Sequence, residues 1–187
     1  MKTQSTNLDN GHGKSYQQKF NEIETNPLSL STDYAKQIIQ QMNTDLASHF
    51  VAYFQMKKQH WVVSGPDWKH ISESLDGYAK TILDNAEELA ERIDSLGGIP
   101  LSNPSSFSEQ SYIDFEGNDN YEIGIMLTND LKASQTIIEQ LRERINFAKQ
   151  NEDHGTDDKL KDILEDNEKI AQELNHYLKN QSLERSI

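Results

Sequence analysis

Residues 68–100 read WKHISESLDGYAKTILDNAEELAERIDSLGGIP, and this stretch contains the most regular pattern in the chain. Apolar residues recur every three or four positions, which is the spacing of a buried face on an α-helix. Gly97 and Gly98, followed by Pro100, end the pattern, because glycine favours the turn at a helix C-terminus and proline cannot continue a helix. We therefore predict one long amphipathic helix, whose stripe comprises Trp68, Ile71, Leu75, Tyr78, Ile82, Ala86, Leu89, Ile93 and Leu96.

Three further segments carry the same spacing, one before this helix and two after it. The first begins after an N-cap at Ser31 or Thr32 and ends at residues 64–66, where Ser-Gly-Pro breaks the pattern. The period is lost over residues 101–120, apart from a short helix near residues 105–110. Two helical hairpins joined by a connection of this length predict an all-α four-helix bundle with a long crossover between helices two and three, as in ferritin-like folds.

The 187 residues are enough for one domain with an adequate core and a tail. Residues 1–30 are rich in Asn, Gln, Ser and Thr and show no apolar period, so we predict a flexible tail there and a bundle domain over residues 31–187. No apolar run is long enough for a transmembrane helix, and the N-terminus lacks the apolar stretch of a signal peptide. The chain has no cysteine, which removes disulfides and thiolate metal sites and suits a cytoplasmic protein.

The net charge of −13 comes from 18 basic and 31 acidic residues. Such a surface should repel nucleic acid and anionic membranes and should attract cations, although it can also serve only to keep the protein soluble. Residues 1–20 hold three lysines and one aspartate, a net charge of +2, so the remaining 167 residues carry −15. Phosphate neutralisation by three lysines would be weak and salt-sensitive, so we do not expect DNA binding.

Acidic residues of the second helix form a face beside its apolar stripe. Asp76 and Glu87 are eleven residues apart, about 16 Å along a helix, whereas a metal–oxygen bond is about 2 Å long. These two carboxylates of one chain therefore cannot bind the same ion, but Glu87 and Glu91, one turn apart, can. Either the helix serves two metal sites, or an antiparallel second copy brings Asp76 against the neighbour's Glu91 across a two-fold interface. Simple solvation of these side chains is the alternative.

His60 lies at the end of the first helix, next to its apolar stripe, and so points partly inward. A lone histidine of this kind is more often hydrogen-bonded structure than a ligand. With carboxylates nearby and no cysteine in the chain, however, it suits a site for iron or zinc.

The segment from residue 60 to residue 100 resembles the Dps mini-ferritins, the DNA-protection proteins from starved cells. The matching features are His60-Trp61, Gly65, Asp76, Glu87-Glu88-Leu89-Ala90-Glu91-Arg92-Ile93 and Leu96-Gly97-Gly98-Ile99-Pro100, in this order and spacing. The resemblance implies a homododecamer around a small cavity, with ferroxidase sites at the two-fold interfaces. His60 and Asp76 would come from one subunit, and Glu87 and Glu91 from its partner. The implied chemistry is oxidation of Fe(II), typically by hydrogen peroxide, with the ferric iron stored inside.

Two departures from the family bear on this site. The family usually has a second histidine at the position of Ser72; here His70 lies two residues earlier, about 200° around a helix, and could reach the site only through a distorted helix start. Glu87 replaces the usual aspartate and is longer by one methylene. We predict that the four ligands implied by the family still bind iron or zinc, that Ser72 is not a strong ligand, and that His70 is a fifth candidate.

Acidic residues also surround the start of the fourth helix, after a turn predicted over residues 153–157. By resemblance this segment lies near a three-fold axis, so we predict that Asp153, Asp157 and Asp158 line a pore for Fe(II), with helix capping as the alternative. Two other functions stay open: a metal-sequestering shell with little ferroxidase activity, and a chromosome-binding protein that acts through its N-terminal tail.

Overall fold

The computed structural model describes residues 17–184, in which helices are joined by irregular segments and no strand occurs. The helices are α1 (Thr32–Val62), α2 (Trp68–Ser95), α3 (Pro104–Gln110), α4 (Ile123–Gln150) and α5 (His154–Glu184). The predicted all-α fold is confirmed, since α1, α2, α4 and α5 are the four long helices and α3 is the short helix of the crossover. None of the helices in this range has the length and apolar composition needed to cross a membrane.

The crossover sets the order of the four long helices. The hairpin of α1 and α2 packs on the hairpin of α4 and α5, with α1 against α4 and α2 against α5. Beyond the C-terminal end of α2 the chain passes along α1, on which α3 packs, and it returns to the turn between α1 and α2, where Asn120 Nδ2 donates a hydrogen bond to the Val62 carbonyl (3.3 Å). As a result α4 begins beside the start of α2 and runs antiparallel to α1.

The apolar stripes meet along the axis of the bundle. In α2 the predicted stripe is buried at every position except Trp68, which is 52% exposed. The first helix begins as predicted, because the Ser31 hydroxyl accepts a hydrogen bond from the Tyr34 amide (3.2 Å) and so caps α1. The burial pattern of α2 thus follows the three-and-four spacing of the sequence.

The connection between α4 and α5 is shorter than predicted. We expected a turn over residues 153–157, but α5 already begins at His154. The Asp153 carboxylate accepts hydrogen bonds from the Thr156 amide (3.0 Å) and hydroxyl (2.5 Å), which is the geometry of a helix N-cap. The predicted turn is therefore wrong at its C-terminal end. Asp153 acts as the N-cap, so the helix begins at the next residue, His154, and not after residue 157.

Residues 17–30, called the strap below, cross the end of the bundle without regular secondary structure. The Glu24 amide and the Gln18 side-chain amide both donate hydrogen bonds to the Gly97 carbonyl, each at 2.9 Å. This part of the predicted flexible tail is thus docked on the C-terminal end of α2. Residues 1–16 lie outside the described residues, and the tail stays a prediction for them.

Substitution of Gly97 tests the docking of the strap. Gly97 has a φ of +88°, and a Cβ built there lies 2.4 Å from the Glu24 carbonyl oxygen. Gly97→Ala should cost about 1–2 kcal/mol in the left-handed backbone alone, and should speed amide hydrogen exchange at Glu24 by displacing its acceptor. Gly77→Ala is the matched control, because Gly77 is helical and a Cβ there meets nothing within 4 Å. Unchanged exchange at Glu24 in Gly97→Ala would contradict the docking.

Candidate metal centre

His60 and Ser72 face each other across the hairpin of α1 and α2. His60 Nδ1 lies 2.9 Å from the Ser72 carbonyl oxygen and 2.9 Å from the Ser72 hydroxyl oxygen. That hydroxyl in turn donates to the His60 carbonyl (3.1 Å). Because a carbonyl can only accept, Nδ1 carries the proton and donates to Ser72, so Nε2 has the lone pair whenever the ring is neutral. This is the state in which a histidine binds a metal, with its other nitrogen held by a hydrogen bond.

Asp76 lies one turn further along α2, with its Oδ1 3.9 Å from His60 Nε2. This distance is too long for a hydrogen bond. Two ligands that each bind one metal at about 2 Å can, however, be up to about 4 Å apart. The structure therefore brings His60 and Asp76 together as a pair that can share one ion.

Lys57, three residues before His60 on α1, forms an ion pair with the same Asp76 oxygen. The hydrogen bond that Lys57 donates is the main reason that the pKa of Asp76 lies below its ordinary value. Asp76 is therefore ionised near neutral pH, and a metal bound there must share or displace the Lys57 ammonium. We did not predict Lys57 from the sequence, although a lysine three positions from a candidate ligand on a helix is its neighbour in space.

Glu87 and Glu91 are exposed on α2, one turn apart. Within the described part of the chain neither carboxylate forms an ion pair, whereas their neighbour Glu88 pairs with Lys159 on α5. Among the described residues no group of three or more His, Cys, Asp or Glu side chains lies close enough to hold a metal. One subunit therefore supplies the His60–Asp76 pair, with Glu87 and Glu91 further along the same helix.

Apolar side chains are exposed on the same side of the hairpin. Trp61 is 68% exposed and Phe54 49% exposed on α1, and Leu83 is 36% exposed on α2. Phe54 and Trp61 are seven residues apart, as are Asp76 and Leu83, so each pair lies on one side of its helix. We call the surface formed by these residues with Lys57, His60, Glu87 and Glu91 the α1–α2 face. Clustered apolar side chains of this size often mark a contact with another protein.

His70 lies on a different side of α2. Its ring centroid is 6.0 Å from that of Tyr177 on α5, in an edge-on arrangement. Because α2 is helical from Trp68 onward, the distorted helix start that would have let His70 reach His60 is not formed. We therefore leave His70 out of the proposed ligand set.

The acidic residues at the start of α5 differ in environment. Asp153 is only 3% exposed, and it accepts hydrogen bonds from Arg92 Nη2 (2.7 Å), the Tyr34 hydroxyl (2.9 Å) and Thr156. Burial works to raise the pKa of Asp153, but these hydrogen bonds and the charge of Arg92 outweigh it, and the pKa lies below its ordinary value.

The prediction that Asp153 lines a pore is therefore wrong, because its buried carboxylate already accepts hydrogen bonds from side chains of α1, α2 and α5. Asp157 is buried and pairs with Lys161 (2.7 Å). Only Asp158 of the three is exposed, so it remains the single candidate for a pore among them.

Comparison with known proteins agrees with this architecture. A family model for the ferritin-like domain matches residues 39–183, so the bundle is a ferritin-like domain. The DNA protection during starvation protein of Halobacterium salinarum is 36% identical over 156 residues, which are 83% of this chain and 86% of that protein. The nutrient stress-induced DNA-binding protein of a Synechococcus strain is 32% identical over 89% of this chain and 94% of its own length. The chain belongs to the Dps family of mini-ferritins, which confirms the resemblance.

Solved structures place the fold in the same family. The crystal structure of an archaeal dps-homologue from Halobacterium salinarum matches with a TM-score of 0.86 and 35% identity, over 89% of this chain and 93% of that one. Two structures share the fold at lower identity. One is a dodecameric thioferritin from Bacteroides fragilis (TM-score 0.78, 24% identity, 84% and 91% covered). The other is a Dps protein from Vibrio cholerae O1, described as a ferritin-like diiron-carboxylate protein (TM-score 0.79, 22% identity, 84% and 98% covered).

The hydrogen bonds of His60 predict its tautomer in the metal-free protein. Solid-state NMR of histidine-labelled protein at neutral pH should show His60 with a protonated Nδ1 and an unprotonated Nε2, assigned by loss of the signal in His60→Gln. Ser72→Ala should keep this tautomer, because the Ser72 backbone carbonyl remains as acceptor. Protonation at Nε2 instead would remove the lone pair on which the proposed metal binding depends.

Proposed function

We propose that this protein oxidises Fe(II), with hydrogen peroxide as the oxidant, and stores the ferric product inside a cytoplasmic homododecamer, which protects the cell from oxidative damage. The observation that supports this most is the His60–Asp76 pair. An imidazole nitrogen with a lone pair lies 3.9 Å from an ionised carboxylate, on an exposed face. Imidazole and carboxylate together suit Fe(II).

A second subunit would complete the site. Asp76 and Glu87 are about 16 Å apart along α2, so an antiparallel copy of the hairpin would bring the partner's Glu87 and Glu91 to His60 and Asp76. The same contact would cover Trp61, Phe54 and Leu83. A two-fold arrangement thus accounts for both the free carboxylates and the exposed apolar side chains. The thioferritin from Bacteroides fragilis shares the fold and is a dodecamer, which supports the proposed assembly size.

The proposed reaction balances without another reductant. Each of two Fe(II) ions gives one electron to hydrogen peroxide, its O–O bond breaks, water supplies further oxygen, and the products are ferric oxyhydroxide and protons. His60, Asp76, Glu87 and Glu91 would hold Fe(II) as the substrate, and Ser72 would orient His60 through its carbonyl and hydroxyl. Lys57 would supply positive charge beside Asp76 until iron displaces it. Zinc suits the same ligands, so we expect it to compete with Fe(II) for the site.

Two other functions differ from this proposal in what they require. A shell that only sequesters metal would bind Fe(II) without oxidising it; the histidine lost at Ser72 favours this alternative. The name of the Synechococcus relative includes DNA binding, and that of the Halobacterium relative includes DNA protection. For this chain we still expect little DNA binding, since its net charge is −13. A mobility-shift assay with duplex DNA at physiological salt separates that function from iron oxidation.

Removal of His60 should slow the peroxide-dependent oxidation of Fe(II) by at least about tenfold, because its Nε2 is a direct ligand in the proposal. The measurement is the initial rate of ferric absorbance after Fe(II) and hydrogen peroxide are added to the metal-free shell. His70→Ala is the matched control, since His70 lies against Tyr177 and should leave the rate as in the wild type. Full activity of His60→Ala would refute the proposed site.

The assembly should have about twelve times the chain mass of 21.4 kDa in light scattering at neutral pH and moderate salt. Leu83→Arg should dissociate it, because a charge would be buried in the two-fold contact, whereas Leu83→Met should keep it intact. A wild-type protein that remains a monomer or dimer at micromolar concentration would contradict the shell.

A further inference from the structure

Buried polar atoms without partners are concentrated at one contact in the bundle. Eleven buried side-chain nitrogen or oxygen atoms have no hydrogen-bond partner among the described residues, and eight of them belong to side chains where α1, α4 and the crossover meet. Such atoms are rare in native proteins, so their concentration in one place needs a physical cause. We call this contact the α1–α4 seam; its unpartnered side chains are Asp45, His49, Gln59, Tyr112, Asp130, Ser134 and Arg144.

Two contacts between the antiparallel helices mark the ends of the seam. At one end Gln59 Nε2 donates to Asp130 Oδ1 (3.1 Å). At the other end Arg144 Nε lies 3.5 Å from Asp45 Oδ2. The ends are fourteen residues apart on both helices, so the seam is about 21 Å long.

The Asp130 end has acceptors that lack donors. Asp130 Oδ1 accepts hydrogen bonds from both Gln55 (2.8 Å) and Gln59, but Asp130 Oδ2 accepts none. The side-chain oxygen of Gln59 also has no donor. Both residues are fully buried, at 0% exposure. Two acceptors therefore face the interior without a donor in the part of the chain that the structure describes.

The middle of the seam adds one more acceptor. His49 Nδ1 lies 2.8 Å from the Asp45 carbonyl, so Nδ1 carries the proton, and the unpartnered Nε2 is an acceptor. Burial lowers the pKa of His49 to about 4, so the ring is neutral. Two of the buried residues between the ends, Ala52 and Ser134, have small side chains.

The Asp45 end has donors as well as acceptors. Burial raises the pKa of Asp45, and the Tyr112 hydroxyl and Arg144 lie near enough to oppose that rise, but within the described part of the chain neither contact has the geometry of a direct hydrogen bond. Arg144 Nε lies 3.5 Å from Asp45 Oδ2, so a water beside this contact could accept from Nε–H and donate to an Asp45 oxygen.

We propose that the α1–α4 seam is a hydration site that binds internal water molecules at its unpartnered polar atoms. Water can donate to Asp130 Oδ2, Gln59 Oε1 and His49 Nε2, and it can also accept from Arg144 and Tyr112. A metal cation could satisfy the acceptors but not the two donors, and an anion would be repelled by Asp130. Proteins hold roughly one buried water per 27 residues, so several are expected in a chain of this length.

The hydration site gives the interior carboxyl groups the donors that their charged forms need. Burial raises the pKa of Asp130 to about 7 and that of Asp45 to about 6, so both groups change charge close to neutral pH. Asp45 has Arg144 beside it, whereas the Asp130 carboxyl is bonded only to neutral side-chain amides. Water at Asp130 Oδ2 would stabilise its ionised form, because the water supplies the missing donor.

A crystal structure of the assembled wild-type protein tests the proposal directly. We expect solvent density within about 3.2 Å of Asp130 Oδ2 and Gln59 Oε1, and again between Asp45 and Arg144. Direct hydrogen bonds between these side chains, with no solvent between them, would overturn the proposal. A metal ion in the seam, recognised by its anomalous scattering, would overturn it as well.

Water relaxation in solution provides an independent measurement. Oxygen-17 magnetic relaxation dispersion counts water molecules that stay inside a protein for longer than the protein takes to rotate. Ser134→Leu should reduce this count by at least one, because its side chain would fill the seam, whereas Gln135→Leu, at an exposed position of α4 outside the seam, should leave the count unchanged. An equal count in the wild type and in folded Ser134→Leu would overturn the proposal. If Ser134→Leu does not fold, the wild-type crystal structure decides.

Discussion

The buried carboxylate of Asp153 determines how the two hairpins fit together. It accepts hydrogen bonds from Tyr34 of α1, Arg92 of α2 and Thr156 of α5, and it caps α5 as well. Three helices are therefore fixed in register at one buried point. Removing one partner from a buried ion pair costs about 3–5 kcal/mol, so a shift of any of these helices is strongly opposed. Because helices are stiff, the register set at this end also fixes which residues of α1 and α2 meet at the other end, where the His60–Asp76 pair lies.

Much of the fold could be predicted from the sequence, because apolar spacing is a local property of a helix. The stripe of α2, the cap at Ser31 and the short helix of the crossover are all present in the structure. The start of α5 was misplaced, because Asp153 and the glycine that follows two residues later suit a turn as well as a cap. The docking of the strap could not be predicted, since it depends on the carbonyl of Gly97, a backbone group 73 residues away from Glu24.

The candidate site was only partly predictable. The rise per residue of a helix is enough to show that Asp76 and Glu87 of one chain cannot bind the same ion. The resemblance to the family supports His60 as a metal ligand. From the sequence alone, Ser72 indicates that a metal ligand is missing. In the structure its carbonyl and hydroxyl oxygens both lie within hydrogen-bond distance of His60 Nδ1. Lys57 was missed because a sequence does not show which carboxylate a flexible lysine will reach. His70 is a candidate in the sequence because helix starts can be irregular, but in the structure it already lies within α2 and packs against Tyr177.

The strap also fixes where residue 17 lies on the bundle. It docks at Gly97, whereas His60 faces Ser72, 25 residues earlier in the chain and about 37 Å away along α2. Within one chain, residue 17 therefore lies at the opposite end of α2 from the His60–Asp76 pair. In the proposed antiparallel pair of subunits, Gly97 follows Glu91 by only six residues, so the strap of one subunit would lie beside the site that its partner completes.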